Sequence, residues 1–221
     1  MYLENYRNNH GQEARTMKKH RIRLYFRSLF SGVLLILMFA VSCFAGVPTD
    51  GIKKTTDRIL VIVSDPALKG PENKDKRGQL IRKAVDERFD WEAMTKRSLA
   101  RHWRKRTEAE KKEFISLFGK LLERTYLDKV GSYSGEKVIY VGETIDGRYG
   151  TVTAKILTHS QTEVEVRYRL KELDGNWQVY DISVEGVSLV NNYRKQFNSI
   201  ILRSSYDELV RKLRKKVAEK D

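Results

Sequence analysis

Two carboxylates, Asp181 and Glu185, are the residues whose type and position best suit a general base. Both flank apolar residues at the end of a predicted strand, whereas the other acidic residues fall mostly on polar helix faces and in turns. A carboxylate that projects into an apolar pocket could abstract a proton. Hydrogen bonding to the backbone is the simpler role, and it is the one we predict for both residues.

Histidine offers little further chemistry. Beyond residue 45 the sequence contains only His102 and His159, which belong to different predicted elements. A metal site or a histidine relay needs several such groups to converge. The sequence also lacks a GxSxG elbow, a glycine-rich phosphate loop and an HExxH motif. We therefore predict no catalytic residue, no metal site and no enzymatic activity.

Residues 1–45 have the layout of a leader rather than of a folded domain. From Met17 the sequence reads MKKHRIRLYFRSLFSGVLLILMFAVSCFAG: a basic stretch, then an apolar run, then small residues. This order is typical of a secretory signal peptide. We predict cleavage after Ala45, an exported domain over 46–221, and translation that starts at Met17.

Two alternatives for the leader stay open. The uncharged stretch 28–49 is long enough for an uncleaved membrane anchor. Alternatively, a lipid could be attached to Cys43, although Ala40-Val41-Ser42-Cys43 is a poor lipoprotein motif. Cys43 is the only cysteine, so a domain that begins at residue 46 has no thiol and no disulfide.

The chain is basic, with a net charge of +14 over 221 residues, 40% of which are hydrophobic. Such a charge suits nucleic acid or an anionic membrane. Basic residues cluster around Trp103, but acidic residues at 108, 110 and 113 lie among them, and an exported protein seldom meets nucleic acid. We predict no nucleic-acid partner and expect the basic patch to face an anionic membrane or an acidic protein.

Apolar residues at three- and four-residue spacings predict helices that would position these groups. The clearest helix begins at Thr107-Glu108-Ala109-Glu110, a capping box, and Ser205-Tyr206-Asp207-Glu208 repeats that chemistry near the end of the chain. The helix that starts near Asp90 is expected to bend around Ser98. The predicted helical segments are 52–63, 80–89, 90–103, 107–131, 188–202 and 205–217.

Between residues 138 and 184 the apolar period changes to two, which predicts β-strands. The predicted strands are 138–144, 150–158, 163–170 and 177–184. Short links such as Asp146-Gly147 predict an antiparallel meander with one covered face. The predicted fold class is α+β: a four-stranded antiparallel sheet with helices packed on one face.

Two segments carry a resemblance to a known family. Residues 177–201 read WQVYDISVEGVSLVNNYRKQFNSII, and residues 89–126 read FDWEAMTKRSLARHWRKRTEAEKKEFISLFGKLLERTY. Both resemble characteristic stretches of the MlaC-type, or toluene-tolerance, family of periplasmic phospholipid-binding proteins. One departure is Ala100, which stands where relatives often have glycine.

The resemblance implies a fold that encloses a deep apolar cavity and a non-enzymatic function. Such a protein carries phospholipid through the periplasm between an outer-membrane lipoprotein complex and an inner-membrane ABC transporter complex, and so maintains the lipid asymmetry of the outer membrane. Phospholipid would be the cargo, with no cofactor, and the protein would be a monomer. A related branch accompanies hopanoid biosynthesis, so another lipid is an alternative cargo.

Large apolar side chains near the two segments are the candidates for lipid contact, with packing in an ordinary core as the alternative for each. We also predict weak headgroup recognition by Arg101 and Arg194 at the mouth. Residues 186–190, from the last strand into the helix, are expected to form a hinge or rim, where Gly186 allows close approach. The predicted lipid-contact residues are Trp91, Met94, Leu99, Trp103, Phe118, Leu122, Tyr126, Val187, Leu189, Val190, Tyr193, Phe197 and Ile201.

Two other hypotheses compete with a lipid carrier. A lipid-modifying or isomerase-like enzyme could use the same cavity with Asp181 or Glu185 as base. A structural adaptor would instead bind partner proteins and enclose no ligand. The first needs a carboxylate that projects into the cavity, and the second predicts no stoichiometric lipid in the purified protein.

Overall fold

The computed structural model describes residues 47–131, 135–158 and 160–219, without the side chains of 127–131. The predicted leader, Cys43 and His159 lie outside the described residues. Within those ranges, no helix is both long enough and apolar enough to span a bilayer.

Six α-helices form in the described part of the chain, each overlapping a segment that the apolar spacing predicts. The second begins at Lys74 and ends at Asp86, so Phe89, predicted to belong to it, lies beyond its end. Short 3-10 turns at 66–68 and 71–73 separate the first two helices. The helices are α1 (Pro48–Ser64), α2 (Lys74–Asp86), α3 (Trp91–Leu99), α4 (Glu108–Gly131), α5 (Leu189–Arg203) and α6 (Tyr206–Ala218).

The capping box at the start of α4 is confirmed. The backbone N–H of Glu110 donates to the Thr107 hydroxyl at 3.2 Å, and the Thr107 N–H donates to the Glu110 carboxylate at 2.7 Å. At α6 the Glu208 N–H donates to the Ser205 hydroxyl at 3.1 Å. The Glu208 carboxylate pairs instead with Arg211 at 2.7 Å. This second cap therefore has the hydroxyl bond of a capping box without the return bond from the carboxylate.

Helix α3 ends in a sharp change of backbone direction. The Asp90 carboxylate caps its start by accepting from the Ala93 N–H at 2.8 Å. The helix stops at Ala100, whose φ of 49° lies in the region that glycine adopts most readily, and a 3-10 turn follows over Ala100–Lys105. The predicted bend at Ser98 is therefore a break two residues later.

The strands form one antiparallel sheet in the order β1-β2-β3-β4-β5. The predicted fold class is confirmed, but the predicted count of four strands is wrong. Glu185 and Gly186, with φ of 49° and 77°, make a two-residue hairpin turn that pairs a fifth strand with β4. The strands are β1 (Lys137–Asp146), β2 (Tyr149–Leu157), β3 (Glu163–Leu173), β4 (Asn176–Val184) and β5 (Val187–Ser188).

Three apolar clusters hold the helices and the sheet, and the smallest joins α1 to α2 through Ile62, Val63 and Ile81. On the covered face of the sheet, Ile52 of α1 packs with buried strand residues that include Val152, Leu170 and Val179. Helices α3 to α6 share a separate cluster with a dense aromatic centre. Its ring contacts, with centroids 5.2 to 5.8 Å apart, join Phe114, Phe118, Tyr193, Phe197 and Tyr206.

Candidate functional site

A cavity opens between the sheet and helices α1 and α2, and its far wall is completed by α3, α4 and the start of α5. Its volume is about 270 Å³ for the centre of a water-sized sphere, within about 1080 Å³ of atom-free space that includes the mouth. The lining residues are Ile52, Thr55, Thr56, Ile59, Ile81, Arg82, Val85, Arg88, Phe89, Trp91, Met94, Leu122, Glu123, Tyr126, Tyr168, Ile182, Val184 and Leu189.

Helix α1 presents one face to this cavity. Ile52, Thr55, Thr56 and Ile59 stand at spacings of three, four and seven residues, which places them on one side of a helix. The Thr55 hydroxyl donates to the Gly51 carbonyl of its own helix at 3.2 Å. The wall that α1 contributes is therefore mainly aliphatic.

The sheet supplies the opposite wall. Tyr168 of β3 pairs with Ile182 of β4, and the next inward pair along the strands includes Val184. The Tyr168 side chain is half-buried and lines the cavity. Burial raises the pKa of its hydroxyl well above the ordinary value of 10.0. The phenol stays neutral, so the sheet wall carries no charge.

Two arginines at the cavity are held by protein partners. The Arg88 guanidinium donates to the Trp177 carbonyl at 2.8 Å and to the Thr55 hydroxyl at 3.3 Å. Burial lowers the pKa of the Arg88 guanidinium below its ordinary value. Arg82 bridges α2 and α4, since it donates to the Glu123 carboxylate at 2.8 Å.

Among the described residues, no group of three or more His, Cys, Asp or Glu side chains could hold a metal ion. The cavity instead has the composition of a site for hydrocarbon, because its charged groups are engaged with the protein and most of the rest of its lining is apolar.

Comparison with known proteins places this geometry in a family. The model of the MlaC protein family matches residues 53–215, which include the whole cavity apart from Ile52. The chain belongs to the MlaC family. The resemblance seen in the sequence is thereby confirmed.

Curated relatives of this MlaC-family chain are distant. The intermembrane phospholipid transport system binding protein MlaC of Haemophilus influenzae is 26% identical over 121 residues, which cover 52% of this chain and 56% of that protein. The chain thus spans little more than half the length of that relative. Toluene tolerance protein ttg2D of Pseudomonas putida is 21% identical over 179 residues, 79% of this chain and 83% of that protein.

A solved structure matches more completely. The phospholipid-binding protein of Ralstonia solanacearum, solved in complex with a phospholipid, superposes with a TM-score of 0.72 at 26% identity. The match covers 78% of this chain and 98% of that protein. The fold described above is therefore shared with that phospholipid-binding protein over nearly the whole of its length.

The predicted lipid-contact residues fall into three groups. Trp91, Met94, Leu122, Tyr126 and Leu189 lie together in the cavity lining. A second group belongs to the packed helical cluster and lies outside the lining. That group is Leu99, Trp103, Phe118, Val190, Tyr193, Phe197 and Ile201.

Val187 stands alone as the third group, because strand β5 leaves its side chain 58% exposed, outside the cavity lining. Lipid contact by Val187 or by the helical cluster stays a prediction.

The residues that sequence reasoning missed come from α1, α2 and the sheet. Their signal was present, since Ile52, Ile59, Ile81 and Val85 recur at helical spacings, but periodicity alone does not separate a cavity wall from a filled core.

The predicted headgroup residues belong to two elements that touch, the 3-10 turn after α3 and helix α5. Arg101 donates to the Asn198 side chain at 3.2 Å, and Arg194 lies one helical turn before Asn198 on α5. Both arginines are exposed, and neither lines the cavity. The cations that do line it are Arg82 and Arg88.

The backbone-bonding role predicted for the two carboxylates is confirmed. Asp181 is buried and accepts from the Val190 N–H at 3.1 Å and the Ser188 hydroxyl at 2.7 Å. The Glu185 carboxylate is exposed and accepts from the Glu165 N–H. Neither carboxylate lies in the cavity lining.

Proposed function

We propose that this chain binds phospholipid and carries it through an aqueous compartment, with the acyl chains in the cavity between the sheet and α1 and α2. The observation that carries the proposal is the cavity itself, whose walls are aliphatic and aromatic. The phospholipid seen in the Ralstonia neighbour supports the same cargo.

The energetics of acyl chains explain why a closed apolar site is needed. Burial of one methylene group is worth about 0.8 kcal/mol, so two chains of about 16 carbons represent more than about 20 kcal/mol against water. Unassisted passage through water is therefore negligible. A carrier must offer hydrocarbon surface comparable with that of the bilayer and must open to release the chains.

The proposed contact residues are the apolar members of the lining. Five of them, Trp91, Met94, Leu122, Tyr126 and Leu189, are expected from the sequence. The others are added by the cavity geometry: Ile52, Ile59, Ile81, Val85, Phe89, Tyr168, Ile182 and Val184.

The route of transport is the finer part of the proposal. The name of the Haemophilus relative, an intermembrane phospholipid transport system binding protein, supports transport between two membranes. We propose that the chain works in the periplasm with an inner-membrane ABC transporter complex and an outer-membrane lipoprotein complex. A leader that ends at Ala45 and is removed on export agrees with that location. Outer-membrane lipid asymmetry is the property that such transport maintains.

An enzymatic use of the cavity has less support. The carboxylates that could have acted as base, Asp181 and Glu185, are bonded elsewhere and do not line the cavity. Glu123 does line it, but its carboxylate is paired with Arg82. We therefore prefer a carrier without catalytic residues.

Native mass spectrometry of the protein, purified without detergent, tests the proposal. We expect a stoichiometric phospholipid adduct, released and identified by collisional activation. Val184→Trp, which fills the cavity, should lower the lipid-bound fraction, whereas Val61→Trp, at a side chain that is 71% exposed, should not. Protein that carries no amphiphile would contradict the carrier and favour the adaptor.

A further inference from the structure

Positive charge is concentrated in one part of the fold. Residues 91–105, which are α3 with its 3-10 turn, and residues 189–203 of α5 together contain eight Lys or Arg residues and one acidic residue, Glu92. These thirty residues carry +7 of the +14 of the whole chain.

Side-chain contacts bring the two segments onto one surface. Arg101 donates to Asn198 of α5 at 3.2 Å, and the His102 ring lies 3.0 Å from the same amide oxygen. The Arg97 guanidinium stacks 4.1 Å from the centre of the Tyr180 ring, which joins α3 to β4. The cations of α3, α5 and the outer side of the sheet are therefore neighbours.

We name the exposed cations of this surface the basic face: Arg97, Arg101, Arg169, Arg194 and Lys195. In the part of the chain that the structure describes, one carboxylate lies within ion-pair distance of these cations. The Asp181 carboxylate is 3.7 Å from the Arg169 guanidinium, but Ser188 and the Val190 N–H already donate to both of its oxygens. The basic face thus keeps a large excess of positive charge.

The basic face contains a polar recess that is separate from the apolar cavity. Its volume is about 360 Å³, and its donors are two cations, two amides and two hydroxyls. Guanidinium, ammonium and amide groups are the donors that bind phosphate oxygens. The recess is lined by Arg169, Ser183, Gly186, Val187, Ser188, Asn191, Asn192 and Lys195.

Exposed apolar side chains accompany the cations. Val187 in the recess is 58% exposed, and Leu202, one turn after Asn198 on α5, is 63% exposed. Cations with interspersed apolar groups on a helical surface match the interface of an anionic bilayer, where headgroups meet the ends of acyl chains.

We infer that the basic face docks the protein on an anionic bilayer surface, with a phospholipid headgroup in the polar recess. Each Lys or Arg held near an anionic leaflet raises the partition onto it about fivefold, and salt weakens the effect. The recess gives the surface a pocket for a phosphate rather than a flat plane of charge. This inference does not depend on what fills the apolar cavity.

Arginine footprinting of the full chain tests the inference at the level of single residues. Vesicles of phosphatidylglycerol mixed with phosphatidylcholine should protect Arg97, Arg101, Arg169 and Arg194 from an arginine-selective dicarbonyl reagent. Phosphatidylcholine vesicles should not protect them, and high salt should remove the protection. Arg58 of α1, whose side chain is 40% exposed, serves as internal control, because α1 packs on the covered face of the sheet and not on the side of Arg169. A site-by-site readout separates this surface from any binding by residues 1–45.

Charge reversal gives the second test. The triple variant Arg101→Glu, Arg194→Glu, Lys195→Glu should raise at least about tenfold the phosphatidylglycerol concentration that half-protects Arg97. The control variant Lys53→Glu, Lys76→Glu, Lys137→Glu changes net charge equally at exposed positions elsewhere and should leave that concentration within about twofold.

Three results would overturn the inference. One is no protection on phosphatidylglycerol vesicles, which would leave the basic face to an acidic protein partner. Another is equal protection of Arg58. The third is an equal effect of the two triple variants, which would indicate attraction by net charge alone.

Discussion

The buried carboxylate of Asp181 accepts a hydrogen bond from the backbone N–H of Val190 across 3.1 Å. Its second oxygen accepts from the hydroxyl of Ser188, the residue that caps α5. One side chain of β4 thereby satisfies donors at the start of the helix that follows the hairpin. The sheet and α5 are joined through these bonds rather than by apolar packing alone.

Replacing Asp181 with alanine should lower the free energy of unfolding by about 2–4 kcal/mol, because buried donors lose their acceptor. Urea unfolding followed by circular dichroism measures the change. Asp146→Ala, at an exposed strand end, is the matched control and should cost less than about 0.5 kcal/mol. Equal losses in the two variants would show that the Asp181 bonds contribute little.

Ala100→Gly should stabilise the protein. Ala100 has a φ of 49° and a ψ of −123°, which glycine adopts without the strain of a Cβ atom. We expect a gain of about 0.5–2 kcal/mol in the free energy of unfolding, after the extra chain entropy of glycine is counted. The same change at Ala93, inside α3, should instead cost about 0.5–1 kcal/mol. A loss of stability in both variants would show that the backbone of Ala100 is not strained.

The capping box of α4 should make stability depend on acid pH. The Thr107 N–H bond, aided by Arg106, holds the pKa of Glu110 below its ordinary 4.5. The unfolded chain therefore binds the proton at higher pH than the folded chain, and the stabilisation is present above pH 4.5 and lost as pH falls through the lowered pKa.

Unfolding measured from pH 7 to pH 3 tests this expectation. The stability difference between the natural chain and Glu110→Gln should shrink as pH falls. Glu92→Gln is the control, because Glu92 makes no hydrogen bond with another described residue. A difference that stays constant with pH would rule out titration of Glu110 as the cause.

The Arg82–Glu123 pair should slow the release of cargo. It joins α2 to α4 at the cavity, with both side chains about one quarter to one third exposed. Glu123→Gln should speed transfer of a fluorescent phospholipid to acceptor vesicles about two- to fivefold, as expected for a partly exposed ion pair. Glu208→Gln breaks the Arg211–Glu208 pair of α6, a helix that contributes no residue to the cavity lining, and should leave the rate unchanged. Equal rates in all three proteins would show that lipid release does not depend on the ion pair between α2 and α4.

The sequence predicts the meander well because each long strand carries its own two-residue period. The face of β3 with Val166 and Leu170 is buried, whereas Arg167 and Arg169 are exposed, as alternation predicts. Strand β5 was missed because two residues cannot establish a period. Its position depends on the positive φ angles of the turn at Glu185 and Gly186.

The location of the cavity was only partly predictable. Tyr193 and Phe197 of α5 were expected to line it, but their rings pack against Phe118 in the helical cluster. Ile59 and Val85 were recognised as helical apolar positions, yet the cavity lies beside them. Hydrophobic spacing identifies which face of a helix is covered, and only the three-dimensional arrangement shows whether protein atoms fill the space opposite.

The aromatic cluster and the hydrocarbon site have different residues at their centres. Phe114, Phe118 and Phe197 contribute to the first and do not line the second. Protein engineers can therefore widen the cargo space at Val85 or Val184, to admit a bulkier or more branched lipid, without removing the rings on which the thermal tolerance of the helices depends.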